Sequence, residues 1–129
     1  MSVSFDHDAT LRRSIATVPA GTPWRRFEQA VLKDVQGRPE VADWDLIIDD
    51  QGPMDDVDAE GMVRIGELFR SLVRSPERRT YTVVVTQDRF FGDWARVIDL
   101  HYGNRKHYGA PSLAAAIDLM NRLTATRDA

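Results

Sequence analysis

Hydrophobic positions along the chain follow two different periods, and each change of period marks a new element. Val3 to Phe5 and Leu11 to Val18 read as short strands, with Asp6-His7-Asp8 as the turn of a hairpin. Gly21-Thr22-Pro23 then opens a helix: Thr22 is placed to cap it, and Pro23 suits the first helical position, where a missing N–H is harmless. Trp24, Phe27, Ala30, Val31 and Val35 recur at helical spacing and define its buried face, and Gly37 with Pro39 stops it. Leu46-Ile47-Ile48 is short and continuously apolar, as expected of a strand covered on both faces.

A second helix is expected to start near Asp56 or Asp58 and to end before Ser75-Pro76, with Met62, Ile65, Phe69, Leu72 and Val73 as its stripe. Gly66 interrupts that stripe, which weakens the helix by about 1 kcal/mol relative to alanine and suggests close approach to the sheet. Tyr81 to Val85 has the strongest β-propensity in the chain. A third helix is expected from Arg89 to Tyr102, with Phe91, Trp94, Ala95, Ile98 and Tyr102 on one face and Gly103-Asn104 at its end. Lys106 to Tyr108 reads as a last short strand and Gly109-Ala110-Pro111-Ser112 as a capping turn. Ser112 caps a final helix that buries Leu113, Ala116, Ile117, Met120 and Leu123.

Strand, helix, strand from Leu46 to Thr86 is a βαβ unit, so its two strands should be parallel neighbours. The fold class that follows is α/β: a single-domain sandwich with a central mixed sheet of four to five strands and about four helices. In such sheets ligands and partners meet the carboxyl ends of the strands. The loops after Asp49 and after Thr86 share that edge, so function is expected there.

Composition narrows the chemistry. A chain of 129 residues, 43% hydrophobic and 29% charged, is enough for one domain with its own core. The absence of cysteine removes disulfides, thiolate catalysis and cysteine-bound metals, and it suits the cytoplasm. Met1 to Thr10 lacks the basic flank and apolar run of a signal peptide, and no stretch approaches the ~20 apolar residues of a membrane span. A net charge of −3 argues against nucleic acid. The basic residues Arg70, Arg74, Arg78 and Arg79 cluster where a helix C-terminus favours cations anyway, and Arg105, Lys106 and His107 form a smaller group.

The acidic run is the most unusual local composition: Asp49, Asp50, Asp55, Asp56, Asp58 and Glu60 fall within twelve residues that contain no lysine or arginine. Such carboxylates suit a divalent cation, but the spacing does not match a calcium loop. A helix N-terminus, which stabilises nearby carboxylates by about 0.3–1 kcal/mol each, accounts for them better. No metal or cofactor is expected. His7, His101 and His107 stand in no ligand or nucleophile motif, and His101 reads as packed near the apolar face of the third helix. Neither a nucleophile elbow nor a phosphate loop is present. Phe90, Phe91 and Trp94 crowd one helix start and cannot all point inward, which leaves Phe90 at the rim. Asp55, Asp56, Asp58, Phe90, Phe91 and Trp94 are therefore the candidate partner-binding residues, offering charge for steering and aromatic groups for anchoring.

The chain resembles SpoIIAA-like, STAS-type (STAS/SEC14-like) domains from about Ile15 to Leu123. The resemblance rests on Asp45-Leu46-Ile47-Ile48-Asp49, the acidic capped helix, Phe91-Gly92-Asp93-Trp94-Ala95-Arg96 and Ser112-Leu113-Ala114-Ala115-Ala116-Ile117. In phosphorylatable STAS domains the second-helix start looks like aspartate, two hydroxyl residues, then glycine. Asp58 and Gly61 match, while Ala59 and Glu60 replace both hydroxyls, so the resemblance implies a domain with no phosphoryl acceptor there. The expected function is a non-enzymatic protein-interaction or regulatory module with a protein partner, or with a second copy as a homodimer. The alternative implied by the SEC14-like side is a domain that binds a small lipid or other apolar ligand. An apolar cavity between the sheet and the third helix would favour that alternative, and carboxylates converging with a histidine would favour an enzyme.

Overall fold

The computed structural model describes residues 2–52 and 54–129; Met1 and Pro53, which belong to the N-terminal segment and the acidic loop considered above, lie outside the described residues. Five strands form one sheet in the order β1 (Ser4–Asp8), β2 (Arg13–Val18), β3 (Asp45–Asp50), β4 (Thr80–Val85) and β5 (Arg105–Ala110). The first pair is antiparallel and the other three pairs are parallel, so the sheet is mixed. Leu46, Ile47 and Ile48 pair with Thr82, Val83 and Val84, the parallel neighbours expected from the βαβ pattern.

Three connecting helices, α1 (Trp24–Gly37), α2 (Ala59–Leu72) and α3 (Phe91–Asp99), contribute Trp24, Phe27, Ile65, Phe69 and Ile98 to one apolar cluster. Right-handed crossovers along a sheet that grows in one direction place their helices on the same face. The last helix, α4 (Leu113–Arg127), covers the other face with Ala116 and Met120 against Ile47, Val83 and Val85. The result is an α/β sandwich with a five-stranded mixed sheet and four helices.

Local details differ from the sequence reading where tertiary contacts compete with local signals. Asp6-His7-Asp8 lies within β1, and the hairpin turns later, through Ala9–Arg12, with Arg12 left-handed at φ 53°. His7 is paired into the ladder and reaches Ser14 and Asp34, so its segment stays extended. Thr22 does not cap α1; its hydroxyl donates to the Pro19 carbonyl, and Pro23 holds the N-cap position. Gly66 admits the turn after α3 rather than the sheet, because a Cβ there would meet the His101 carbonyl and the Tyr102 ring. His101 itself is exposed, and α3 ends at Asp99, short of Tyr102. Gly109 and Ala110 belong to β5, while Ser112 caps α4 by accepting from the Ala115 N–H. Within α4 only Ala116 and Met120 are fully buried; Leu113, Ile117 and Leu123 are half-buried.

Candidate functional site

The two faces of the central strands are packed differently. Toward α4, Ile47 and Val83 are fully buried, at 0% exposure. On the opposite face their neighbours Leu46, Ile48 and Val84 are only half-buried, although β3 and β4 are interior strands. What leaves them uncovered is a cavity of about 500 Å³ between this face and helices α1, α2 and α3. Its floor is Leu46, Ile48, Thr82, Val84 and Thr86. Trp24, Phe27 and Val31 of α1 and Met62, Ile65 and Phe69 of α2 form one wall, and Phe91, Trp94 and Ile98 of α3 form the other. Volume and lining both fall within the range of small-molecule sites, which are concave and mostly apolar.

The cavity opens at the carboxyl edge of the strands. Asp50, Met54, Asp55 and Val57 line it from the loop after β3, and Asp88 lines it from the loop after β4. The two loops thus lie side by side. Burial raises the Asp50 pKa above the usual carboxylate range, and the neighbouring Asp49 adds to this, while the Gly52 N–H opposes it.

The six candidate partner residues fall into separate roles. Asp56 accepts the backbone N–H of Trp24 with both carboxylate oxygens, at 3.1 and 3.2 Å, and so supplies the cap that Thr22 does not. Asp58 caps α2 through the Glu60 N–H at 3.1 Å and also pairs with Arg64 at 3.2 Å. Asp55 lines the cavity mouth. Phe90 and Trp94 are 58% and 55% exposed, so Phe90 sits at the rim as expected, while Trp94 lines the cavity from its open side instead of filling a core. Phe91 is half-buried over Gly109, where a Cβ would come within 3.0 Å of its ring. Beyond them, Val97 and Leu100 leave the outer side of α3 apolar.

At the inner end of the cavity the sequence reading missed the informative group. His107 is nine-tenths buried and lines the cavity. The Asp99 carboxylate accepts its backbone N–H and contacts its Nδ1, each at 2.9 Å. The Tyr102 ring meets the imidazole edge-on at 4.6 Å, and its hydroxyl donates to the Met62 carbonyl. Burial lowers the His107 pKa below its ordinary value, which the Asp99 hydrogen bond opposes and the Arg105 charge reinforces. Burial likewise raises the pKa of the Tyr102 phenol. The only trace in the sequence was His107 beside Arg105 in a basic-looking run; nothing local joins it to Asp99.

Arg105 is buried behind this end and faces away from the cavity. Its guanidinium donates to the carbonyls of Ala42, Trp44 and Tyr81 and to the Thr82 hydroxyl, over the Phe69 ring. Burial lowers its pKa to about 10, against the attraction of Asp45, Tyr102 and Asp43. Together with Asp43 and Asp45 it forms a polar plug at the amino ends of the strands, opposite the cavity mouth.

Among the described residues no three histidine, aspartate or glutamate side chains are grouped to hold a metal ion, and no helix is long and apolar enough to cross a membrane. Comparison with family models, with curated proteins and with solved structures gives no match.

Proposed function

We propose that the protein binds a small apolar ligand non-covalently in the cavity between its sheet and helices α1 to α3. The observation that carries this reading is the half-buried state of Leu46, Ile48 and Val84 over a space of about 500 Å³ on interior strands. Apolar surface there is poorly covered by the chain itself. A ligand that removed it from water would contribute about 25 cal/mol for each Å² covered. The kinship with STAS/SEC14-like domains is proposed alongside, supported by the order of elements.

The test is direct. Aminoanthracene, an uncharged fluorescent probe, should bind saturably at one site per chain and quench Trp24 and Trp94, which line the cavity. It should also raise the melting temperature, because binding to the native state alone stabilises it. Absence of saturable binding by aminoanthracene sinks the reading.

A second reading, the protein-interaction module, is favoured by the outer side of α3. Phe90, Trp94, Val97 and Leu100 are all more than half exposed there. Aromatic groups of this kind anchor protein interfaces. An enzyme is the weaker reading. Asp99 orients His107 as an orienting carboxylate would hold a general base. Asp50 at the mouth, however, stands four residues farther along β3, roughly 13 Å from the His107 row, and Asp55 and Asp88 lie in the loops beyond the strand ends.

A further inference from the structure

We propose that His107 is the polar anchor of the cavity, accepting a hydrogen bond through Nε2 from a hydroxyl or N–H at the inner end of an uncharged apolar ligand. This rests on the ligand-binding reading above and names the class of ligand.

The tautomer follows from the partner. An ionised carboxylate only accepts, so the 2.9 Å contact between Asp99 Oδ1 and His107 Nδ1 places the proton on Nδ1. In the neutral ring Nε2 then carries a lone pair. No hydrogen-bond partner for Nε2 exists among the described residues. Nor is Nε2 among the sealed, unpartnered atoms, which are Arg13 Nε and Asp45 Oδ2. It is therefore reachable, and the space His107 borders is the cavity. The ring cannot readily turn away, because Asp99 holds one edge and Tyr102 packs against it.

The other inner hydroxyls each have one partner already. The Thr82 hydroxyl accepts from Arg105 at 2.9 Å, and the Tyr102 hydroxyl donates to Met62 at 2.9 Å. His107 lies level with Thr82 and Leu46 in the sheet register, four residues below Asp50, so a ligand reaching it would span roughly 13 Å of apolar floor.

Charge sets the second half of the preference. Besides His107 and Tyr102, the ionisable groups that line the cavity are Asp50, Asp55 and Asp88, and no lysine or arginine lines it among the described residues. A carboxylate ligand would pass three aspartates and then present lone pairs to a lone pair. A ligand without a donor would leave a buried acceptor unpaired, which is penalised more heavily than a hydrogen bond is rewarded.

Competition against bound aminoanthracene near pH 7 separates these cases, using naphthol, methoxynaphthalene and naphthoate. Methoxynaphthalene is the more apolar of the two neutral compounds, so area alone would favour it. Naphthol should nevertheless bind roughly five- to tenfold more tightly, the gain of one net hydrogen bond. Naphthoate should bind weakest. The imidazole nitrogen resonance of Nε2 should shift with naphthol and stay in place with methoxynaphthalene, a readout that needs no variant. His107→Phe, if folded, should erase the naphthol preference, and it should also weaken aminoanthracene, whose amino group carries N–H donors. Equal affinity for the two neutral compounds, a preference for naphthoate, or an unmoved Nε2 resonance overturns the anchor and leaves the cavity reading standing. Failure of aminoanthracene itself to bind overturns both.

Discussion

Asp56 and Trp24 are 32 residues apart, yet both carboxylate oxygens of Asp56 accept the first backbone N–H of α1. A loop that looks like an acidic docking surface is thus partly a clamp between the second crossover and the first helix. Truncation of this remote cap, Asp56→Ala, should destabilise the fold by about 1 kcal/mol, as loss of a helix cap does. Thermal unfolding should show a drop of a few degrees in the melting temperature. An unchanged midpoint would return Asp56 to the surface role inferred from composition.

Gly61 sits where α1 and α2 meet. A Cβ at this position would run into the Glu28 carboxylate and the Trp24 indole nitrogen. Glu28 cannot swing aside freely: it accepts from Trp24 Nε1 at 3.0 Å and from Arg64 Nε at 2.7 Å. The Arg64 hydrogen bond holds the Glu28 pKa below the usual carboxylate value. Gly61→Ala should therefore cost about 1–3 kcal/mol, typical of overpacking, despite alanine's better helix propensity. Urea midpoints measure it. Combined with Glu28→Ala, the two losses should be non-additive, because Glu28→Ala removes one of the two contacts that Gly61→Ala crowds, leaving the Trp24 indole.

Val83 and Val84 are sequence neighbours on opposite faces of β4. Val83 is sealed under α4, while Val84 floors the cavity. Val84→Phe should lower aminoanthracene affinity at least about tenfold with little change in stability, since the ring fills space that is already there. Val83→Phe should instead destabilise by about 1–3 kcal/mol and leave affinity in the folded protein nearly unchanged. Paired binding and denaturation curves decide it, and equal stability losses at both positions would mean the cavity closes in solution.

The His107 pKa is lowered in the folded protein, chiefly by burial, with Asp99 opposing and Arg105 reinforcing, and the neutral Tyr102 ring against its edge. The unfolded chain takes up a proton on this histidine near its ordinary value of about 6.5. Stability from this group is accordingly complete above that value. It falls as pH drops from there toward the lower folded pKa, and the loss then levels off. Urea midpoints measured from about pH 8 to about pH 5 should fall in wild type, and the fall should shrink in His107→Gln. Naphthol affinity should follow the folded-state titration, because a protonated ring has no lone pair to offer.

Periodicity alone was enough to order the elements. The β-branched run at Val83 to Val85, the helical spacing of Trp24, Phe27, Val31 and Val35, and the caps at Asp58 and Ser112 are local signals, and each element formed where they stand. The parallel pairing of β3 with β4 followed from connectivity, and the adjacency of the two loops at the cavity mouth followed from that pairing. Other features had no local signature. Burial patterns say that Leu46, Ile48 and Val84 are apolar, but not that three helices would stop short of covering them. How closely helices approach depends on the bulk that Gly61 and Gly66 leave out, and on what they meet across the fold. The Asp99–His107 pair, the Asp56 cap on Trp24 and the Arg105 plug join groups on different elements. A hydrogen bond is decided within a few tenths of an ångström, a precision that only the assembled packing supplies.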